Sequence, residues 1–301
     1  MATAQHPNAR TLRRGIVASA LVVGLVGGMV LASATTRVEA SSLFGGLRSA
    51  GEAAFIAGHR GDRSSAPENT MPAFNAAFDS SMDFIEADIQ LTKDNVPVMM
   101  HDTFVNRTTN GQGRVRDFTY SEIHKLDAGA WYSPTFQGTH VPKLESLLSL
   151  LQAKTAEDNP KKALLELKGF WSLEEVWIVT DLIAKYRVGN VVIMSSFDPV
   201  TIDHIHEVDN TLPLAIITNN LPTDPVAYAK LYGAVALIVN QSAVENDPWV
   251  VDRMHRSGLG IILYTLNSKA AWERALRLGV DGIITDRPGH LDHWLSRSTA
   301  R

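Results

Sequence analysis

Apolar positions along this chain fall into two regimes. From Gly15 to Thr36 they form one unbroken, uncharged run rich in Ala, Val, Leu and Gly. From residue 53 onward they break into short β-branched or apolar runs. These are Ala53–Gly58, Phe84–Ile89, Pro97–Met100, Ala163–Leu167, Val191–Met194, Leu214–Thr218, Ala234–Val239, Gly260–Leu266 and Gly282–Thr285. Several are separated by stretches such as Leu173–Lys185 and Ala270–Leu278, whose apolar residues recur at helical spacing. Strand–helix alternation over about 250 residues predicts a parallel α/β sheet and, at this strand count, a (β/α)8 TIM barrel.

Nine candidate strands compete for eight barrel places. The link 90–96 is too short for a parallel crossover and contains the turn pair Asp94-Asn95, so Pro97–Met100 is expected to fold back on the second strand as a hairpin. Residues 102–142 have little regular pattern and read as an insertion after the second strand region. A loop of that length inside a compact domain is usually functional or disordered, and Trp131, Tyr132 and Phe136 argue against disorder.

Composition narrows the function classes. With no cysteine among 301 residues, disulfide scaffolds, thiolate metal sites and cysteine nucleophiles are excluded. Charged residues make up 20% and apolar residues 45%, which fits a globular chain rather than a disordered or polytopic one. The 28 Lys and Arg against 32 Asp and Glu leave a net charge of −4, with no electrostatic reason to bind nucleic acid.

The N-terminal run carries a different message. Arg10, Arg13 and Arg14 precede it, and Ala32-Ser33-Ala34 and Val38-Glu39-Ala40 offer small-x-small cut sites. Residues 1–40 therefore read as an export signal. The run is longer than the usual h-region and could span a bilayer, so an uncleaved anchor over residues 15–36 is the competing reading. Either places the functional domain outside the cytoplasm: secreted, periplasmic or at the cell surface. The segment holds four basic residues and one acidic, so the remaining 261 residues carry 24 positive against 31 negative charges, a net of −7. Residues 41–52, rich in Ser and Gly, are expected to be a flexible linker, and 53–301 the barrel domain.

In a barrel the active site forms at the C-terminal ends of the strands, so polar residues there carry the chemistry. The first strand ends in His59-Arg60. The second carries Glu86 and Asp88, two apart and so on one face. The hairpin ends at His101-Asp102, the next strand at Glu166-Leu167-Lys168, and later ones at Ser195-Ser196-Phe197, Tyr264-Thr265 and Thr285-Asp286. Three carboxylates on neighbouring strands, Glu86, Asp88 and Glu166, raise one another's pKa or collect a cation. An all-oxygen set suits one hard divalent cation, Ca²⁺ or Mg²⁺. His59 and His101 make an acid–base pair, and Arg60 and Lys168 suit an anionic group such as a phosphate. Each residue alone has a plainer reading: a hydrogen-bonded histidine, half an ion pair, a helix N-cap at Asn69 or Thr70, core packing for Phe197. The set together points to phosphodiester hydrolysis.

The chain also closely resembles the glycerophosphodiester phosphodiesterase family. The resemblance is carried by His59-Arg60-Gly61, Ala66-Pro67-Glu68-Asn69-Thr70, Glu86-Ala87-Asp88 through Asp94, His101-Asp102, Arg107 to Gly113, Leu126 to Gly129, Glu166-Leu167-Lys168, Ser196-Phe197 and Gly279 to Pro288. It implies a TIM barrel with its insertion near the site and a divalent metal on Glu86, Asp88 and Glu166. It further implies His59 and His101 as acid and base, Arg60 and Lys168 on the phosphate, and Glu68 and Asn69 in support. The implied reaction cleaves a glycerophosphodiester to sn-glycerol 3-phosphate and an alcohol. Where the family commonly reads Trp-Thr, this chain reads Tyr264-Thr265; Phe197 and Tyr264 are the expected apolar wall. Rival readings are a phospholipase D acting on lysophospholipids or sphingolipids, a wall-polymer phosphodiesterase, and a non-catalytic phosphodiester-binding protein. The presence of both histidines argues against the last.

Overall fold

A computed structural model describes residues 39–155 and 160–298. Among the described residues there are nine strands: β1 (Phe55–His59), β2 (Phe84–Leu91), β3 (Pro97–Met99), β4 (Lys162–Leu167), β5 (Val192–Ser196), β6 (Leu214–Thr218), β7 (Ala236–Asn240), β8 (Gly260–Tyr264) and β9 (Gly282–Thr285). Eight are parallel and close into a ring, because β1 pairs with β2 on one side and β9 on the other. β3 stands outside the ring, antiparallel to β2. This is the (β/α)8 barrel with the hairpin extension that the pattern of apolar runs predicts.

The helices between strands begin where the sequence places oxygen-bearing caps. Ser172 and Glu175 form a reciprocal capping box at the start of Leu173–Tyr186. Asp198 and Asp224 accept from the third residue of their helices, each followed by a proline that suits the first helical turn. The apolar faces of these helices pack on the outward side chains of the strands, including Ile85, Ala87 and Ile89 of β2.

The inward rows explain how the fold positions a site. Strand side chains alternate, so β2 sends Phe84, Glu86 and Asp88 into the barrel, while β4 sends Leu164 and Glu166. β1 contributes Phe55, Ala57 and His59; β8 contributes Ile262 and Tyr264. Each row is apolar at its N-terminal end and polar or aromatic at its C-terminal end. The lower half of the barrel is thus a packed core and the upper half a chemical surface.

The lower end is sealed by residues expected to be a linker. The stretch 41–52 is not a free tether: Ala40–Phe44 is a helix, and Ala40, Leu43 and Phe44 are buried against the barrel floor. Phe44 lies 5.1 Å from Phe55 and 6.3 Å from Phe84, ring centre to ring centre. The physical reason is that Phe55 and Phe84 would otherwise face water at the open end, and Leu43 and Phe44 supply the apolar cover. Arg48 and Lys162 donate to the carbonyls at the end of this helix, Arg48 to Phe44 O at 3.1 Å. Polar composition hid a segment whose two large apolar residues decide its place.

The insertion 102–142 is ordered around its own small core. Val105, Val115, Ile123, Ala128 and Val141 pack with Val98 and Met100 beneath them. Asp127 accepts from the backbone of Gly129, Ala130 and Gly138, which pins the loop carrying Trp131 and Tyr132. Among the described residues no helix is long and apolar enough to cross a membrane. The expected export signal or anchor lies outside the described residues, apart from Glu39 and Ala40.

Candidate active site

At the C-terminal mouth of the barrel a cavity of about 190 Å³ brings together His59, Arg60, Glu86, Asp88, His101, Glu166 and Lys168. All the residues expected to hold metal, phosphate or a proton line it. Asp88 and Glu166 are direct partners across β2 and β4, and His59 and Glu86 across β1 and β2. Register alone thus sets these side chains at matching heights.

The carboxylates of Glu86, Asp88 and Glu166 are buried, and one oxygen from each lies within 4.8 Å of the others. Burial, then the charges of Asp88 and Glu166, push Glu86 well above the carboxylate range. Burial, then Asp88, push Glu166 up to about 7. Asp88 goes the other way. Burial opposes its charge, but Lys168 and Arg60 hold it low, with Lys168 Nζ 3.4 Å from Asp88 Oδ1 and 2.7 Å from Glu166 Oε1. Three buried carboxylates, two of them reluctant to ionise, are the signature of a place where further positive charge is welcome. An all-oxygen donor set of this size fits a hard divalent ion.

The local backbone is shaped for this cluster. Arg60 sits in the left-handed region at φ 59°, a conformation that costs a non-glycine residue about 1–3 kcal/mol and is held by its surroundings. Its N–H donates to Glu86 Oε2 at 3.0 Å, and its carbonyl accepts from Asn69 N at 3.0 Å. Gly61 follows at φ 82°, where a Cβ would lie 2.8 Å from the backbone of Ala73. The His-Arg-Gly triplet is therefore a turn that aims Arg60 back at the carboxylates. Asn69 does not act as a helix cap. It brackets Asp88, donating to Oδ2 at 2.8 Å and accepting from its N–H at 3.2 Å. Glu68 stands outside the carboxylate cluster, bound instead to arginines, among them Arg60 at 2.6 Å.

Both histidines are anchored through Nδ1. His59 Nδ1 lies 2.6 Å from Asp286 Oδ1, and His101 Nδ1 lies 2.7 Å from Asp102 Oδ1. Burial opposes the charge on Asp286, but His59 and Arg63 bring it down to about 2. Hydrogen bonds from Arg107, and then His101, hold Asp102 well below the carboxylate range. With both aspartates ionised, each Nδ1 carries the proton and Nε2 keeps the lone pair. Burial, then the charge of Arg60, lowers both imidazoles from their ordinary 6.5, and Lys168 lowers His101 further, so both are set to be neutral near pH 7. The expected roles of His59 and His101 did not include these partners. Asp102 adjoins His101 in sequence and Asp286 is a polar strand-end residue, so the signal was present in both.

One wall of the cavity is apolar: Phe197, Ile217, Ile238, Tyr264 and Ile284. Phe197 and Tyr264 meet edge to face at 6.0 Å, and the Tyr264 hydroxyl reaches Asn219 Oδ1 at 2.8 Å. Phe197 is 41% exposed, so it is a rim residue and not part of the core.

A closed parallel barrel with histidines, cations and a carboxylate cluster at its mouth defines a barrel hydrolase of phosphoric diesters. The comparisons give the family. The sequence matches the glycerophosphoryl diester phosphodiesterase family over residues 59–290, and the chain belongs to it. The chain is 34% identical over 237 residues to the glycerophosphodiester phosphodiesterase of Caldanaerobacter subterraneus subsp. tengcongensis, covering 77% of this chain and 94% of that one. The crystal structure of glycerophosphodiester phosphodiesterase from Agrobacterium tumefaciens superposes with a TM-score of 0.71 at 26% identity, over 80% of this chain and 100% of that one. An Oleispira antarctica phosphodiesterase, solved with the product sn-glycerol-3-phosphate, shares the fold with a TM-score of 0.75 at 21% identity, over 80% of this chain and 96% of that one.

Proposed function

We propose that this protein hydrolyses glycerophosphodiesters to sn-glycerol 3-phosphate and an alcohol, using one divalent cation, Ca²⁺ or Mg²⁺, and two histidines. The observation that carries this reading is the pairing of two Nδ1-anchored histidines with a buried three-carboxylate cluster in one cavity.

Glu86, Asp88 and Glu166 would hold the ion, which when bound polarises a phosphoryl oxygen and stabilises developing charge. Arg60 and Lys168 stay cationic. Burial works against them, but Asp88 with Glu68 for Arg60, and Asp88 with Glu166 for Lys168, raise both above their ordinary values. They take the phosphate. A diester entering among these groups brings one negative charge, which raises the histidine pKa values from their depressed start. One imidazole then carries a proton while the other keeps its Nε2 lone pair. The neutral one removes the proton from the attacking oxygen, that of water or of the neighbouring glycerol hydroxyl, and the protonated one delivers its proton to the departing alkoxide. Where the glycerol hydroxyl attacks, water then opens the cyclic phosphate to sn-glycerol 3-phosphate. Phe197 and Tyr264 form the apolar wall against which the glycerol or alcohol part lies. Outside this site, residues 1–40 support export or anchoring, and so extracytoplasmic work.

The test is product analysis. Purified protein is given glycerophosphocholine, glycerophosphoethanolamine and lysophosphatidylcholine with each ion in turn. Release of glycerol 3-phosphate from the first two supports the reading. Choline release from the lysolipid alone, or no release from any, would contradict it.

A further inference from the structure

We infer that Glu68 is a positioning residue that couples the two histidine–aspartate pairs through Arg63 and Arg107, so that both imidazoles are set by one buried carboxylate. The inference rests on the two-histidine reading proposed above.

The geometry runs outward from Glu68 in both directions. Glu68 is only 4% exposed, and its two oxygens accept from three guanidinium groups. Arg63 NH2 lies 2.8 Å from Oε2, and the same guanidinium reaches Asp286 Oδ1 through NH1 at 3.3 Å. Asp286 is the partner of His59 at 2.6 Å. On the other side, Arg107 makes a forked contact with Glu68, NH1 to Oε2 at 3.0 Å and NH2 to Oε1 at 2.7 Å. Arg107 then grips Asp102 in a second fork, Nε to Oδ2 at 2.6 Å and NH2 to Oδ1 at 3.0 Å. Asp102 is the partner of His101 at 2.7 Å. Every link from one imidazole to the other is a charge-assisted contact, the kind with the most directional hold.

Arginine suits both bridges because a planar fork can satisfy two carboxylates at once, which an ammonium cannot do in fixed geometry. The arrangement also explains the charge state of the hub. Burial opposes ionisation of Glu68, yet hydrogen bonds from Arg107 and the charges of Arg60 and Arg63 hold its carboxyl below the ordinary value. An ionised carboxylate with donors on both oxygens is a rigid joint. Arg107 belongs to the insertion, in the short turn Val105–Arg107, so the insertion takes part in orienting His101. Arg63 belongs to the β1 loop and serves His59. Glu68 is the shared fulcrum.

The test uses Glu68→Gln, Arg63→Ala, Arg107→Ala and the double arginine variant in the full chain. Glu68→Gln keeps the shape but places an amide N–H₂ against a guanidinium. The first readout is NMR of the imidazole Nδ1–H protons, which reports each histidine–aspartate bond without turnover. Expected is that Glu68→Gln moves both resonances, Arg63→Ala chiefly that of His59, and Arg107→Ala chiefly that of His101. The second readout is kinetic. Glu68→Gln is expected to lower kcat about 10- to 100-fold with little change in KM, as loss of a group orienting a reacting side chain does. Calcium and magnesium, titrated separately, should bind it as they bind the parent. The double arginine variant should lose at least as much as Glu68→Gln, and adding Glu68→Gln to it should cost little more, because Glu68 acts through both arginines. Unmoved Nδ1–H resonances, a loss confined to metal affinity, or a Glu68→Gln effect that is undiminished in the double arginine background would overturn the inference. Failure of two-histidine catalysis would show elsewhere, as turnover retained by His59→Ala and His101→Ala.

Discussion

Asp88 on β2 and Glu166 on β4 are register partners, so two carboxylates face one another across adjacent strands at the same height in the barrel. Nothing in strand pairing favours that juxtaposition, and Lys168 alone, 3.4 Å from Asp88 and 2.7 Å from Glu166, does not neutralise it. Glu86 adds a third negative group, and burial, then the mutual repulsion of the carboxylates, raises the pKa values of Glu86 and Glu166.

Metal binding should therefore release protons. Glu166 titrates at about 7 without metal, and a bound ion needs it ionised, so affinity rises with pH through about 7. Calorimetry in buffers of different ionisation enthalpy should show proton release near pH 6 and less near pH 8. The sign carries over to stability. A carboxyl whose folded pKa is raised favours the fold below its ordinary pKa, and that contribution is lost as pH rises through about 7. The rise in Tm on adding metal should accordingly be larger near pH 8 than near pH 6. An affinity independent of pH over this range would contradict the account.

Asp286→Asn and Asp102→Asn should each preserve the fold and remove the charge that fixes an imidazole. An asparagine can present its oxygen or its amide to Nδ1, so the proton is no longer held on that nitrogen. Each variant is expected to lose about 100-fold or more in kcat, with KM changed far less. Retention of parental kcat by either would show that its histidine is not set in this way.

Tyr264 and Phe197 should govern which diester is preferred rather than whether it is cleaved. The Tyr264 hydroxyl is tied to Asn219 at 2.8 Å and its ring meets Phe197, so the wall is held in place. Replacing Tyr264 by Trp or Phe197 by Ala is expected to shift the ratio of kcat/KM between choline and ethanolamine diesters by about 10-fold. An equal loss on all substrates would place these residues in the chemistry instead.

The barrel floor makes a stability prediction. Phe44 is 3% exposed and packs on Phe55 and Phe84, so Phe44→Ala should cost about 3 kcal/mol by chemical denaturation. Because Phe44 lies at the end of the barrel opposite the cavity, kcat under native conditions should stay near the parental value.

The strands were legible because their signal is local. Leu214–Thr218 and Gly282–Thr285 are found at the bounds the apolar runs give, and the turn at Asp94-Asn95 makes Pro97–Met99 a hairpin partner. Residues that lie on such strands, Glu86, Asp88 and Glu166, could be placed on one face by counting twos. Of the contacts that orient the histidines, His101–Asp102 joins sequence neighbours, whereas His59–Asp286 could not be paired from the sequence because barrel closure makes it. His59 and Asp286 are 227 residues apart, and only the β1–β9 pairing brings them together. Arg63 and Arg107 likewise sit in loops with no period to read. The floor helix Ala40–Phe44 was missed for a different reason: five residues among serines and glycines are too few for a periodic signal, and their burial depends on an opening that exists only once the ring has closed.

The central claim, that a bound divalent ion and two histidines act together in this cavity, is tested most directly by metal removal and return. The purified protein is stripped with chelator, and glycerol 3-phosphate release from glycerophosphocholine is followed as Ca²⁺ or Mg²⁺ is restored, alongside His59→Ala and His101→Ala. The account predicts that release vanishes on stripping, returns with at least one ion, and stays at least about 100-fold lower in both variants at saturating metal. Release that persists without metal, or that either histidine variant sustains at the parental rate, would contradict it.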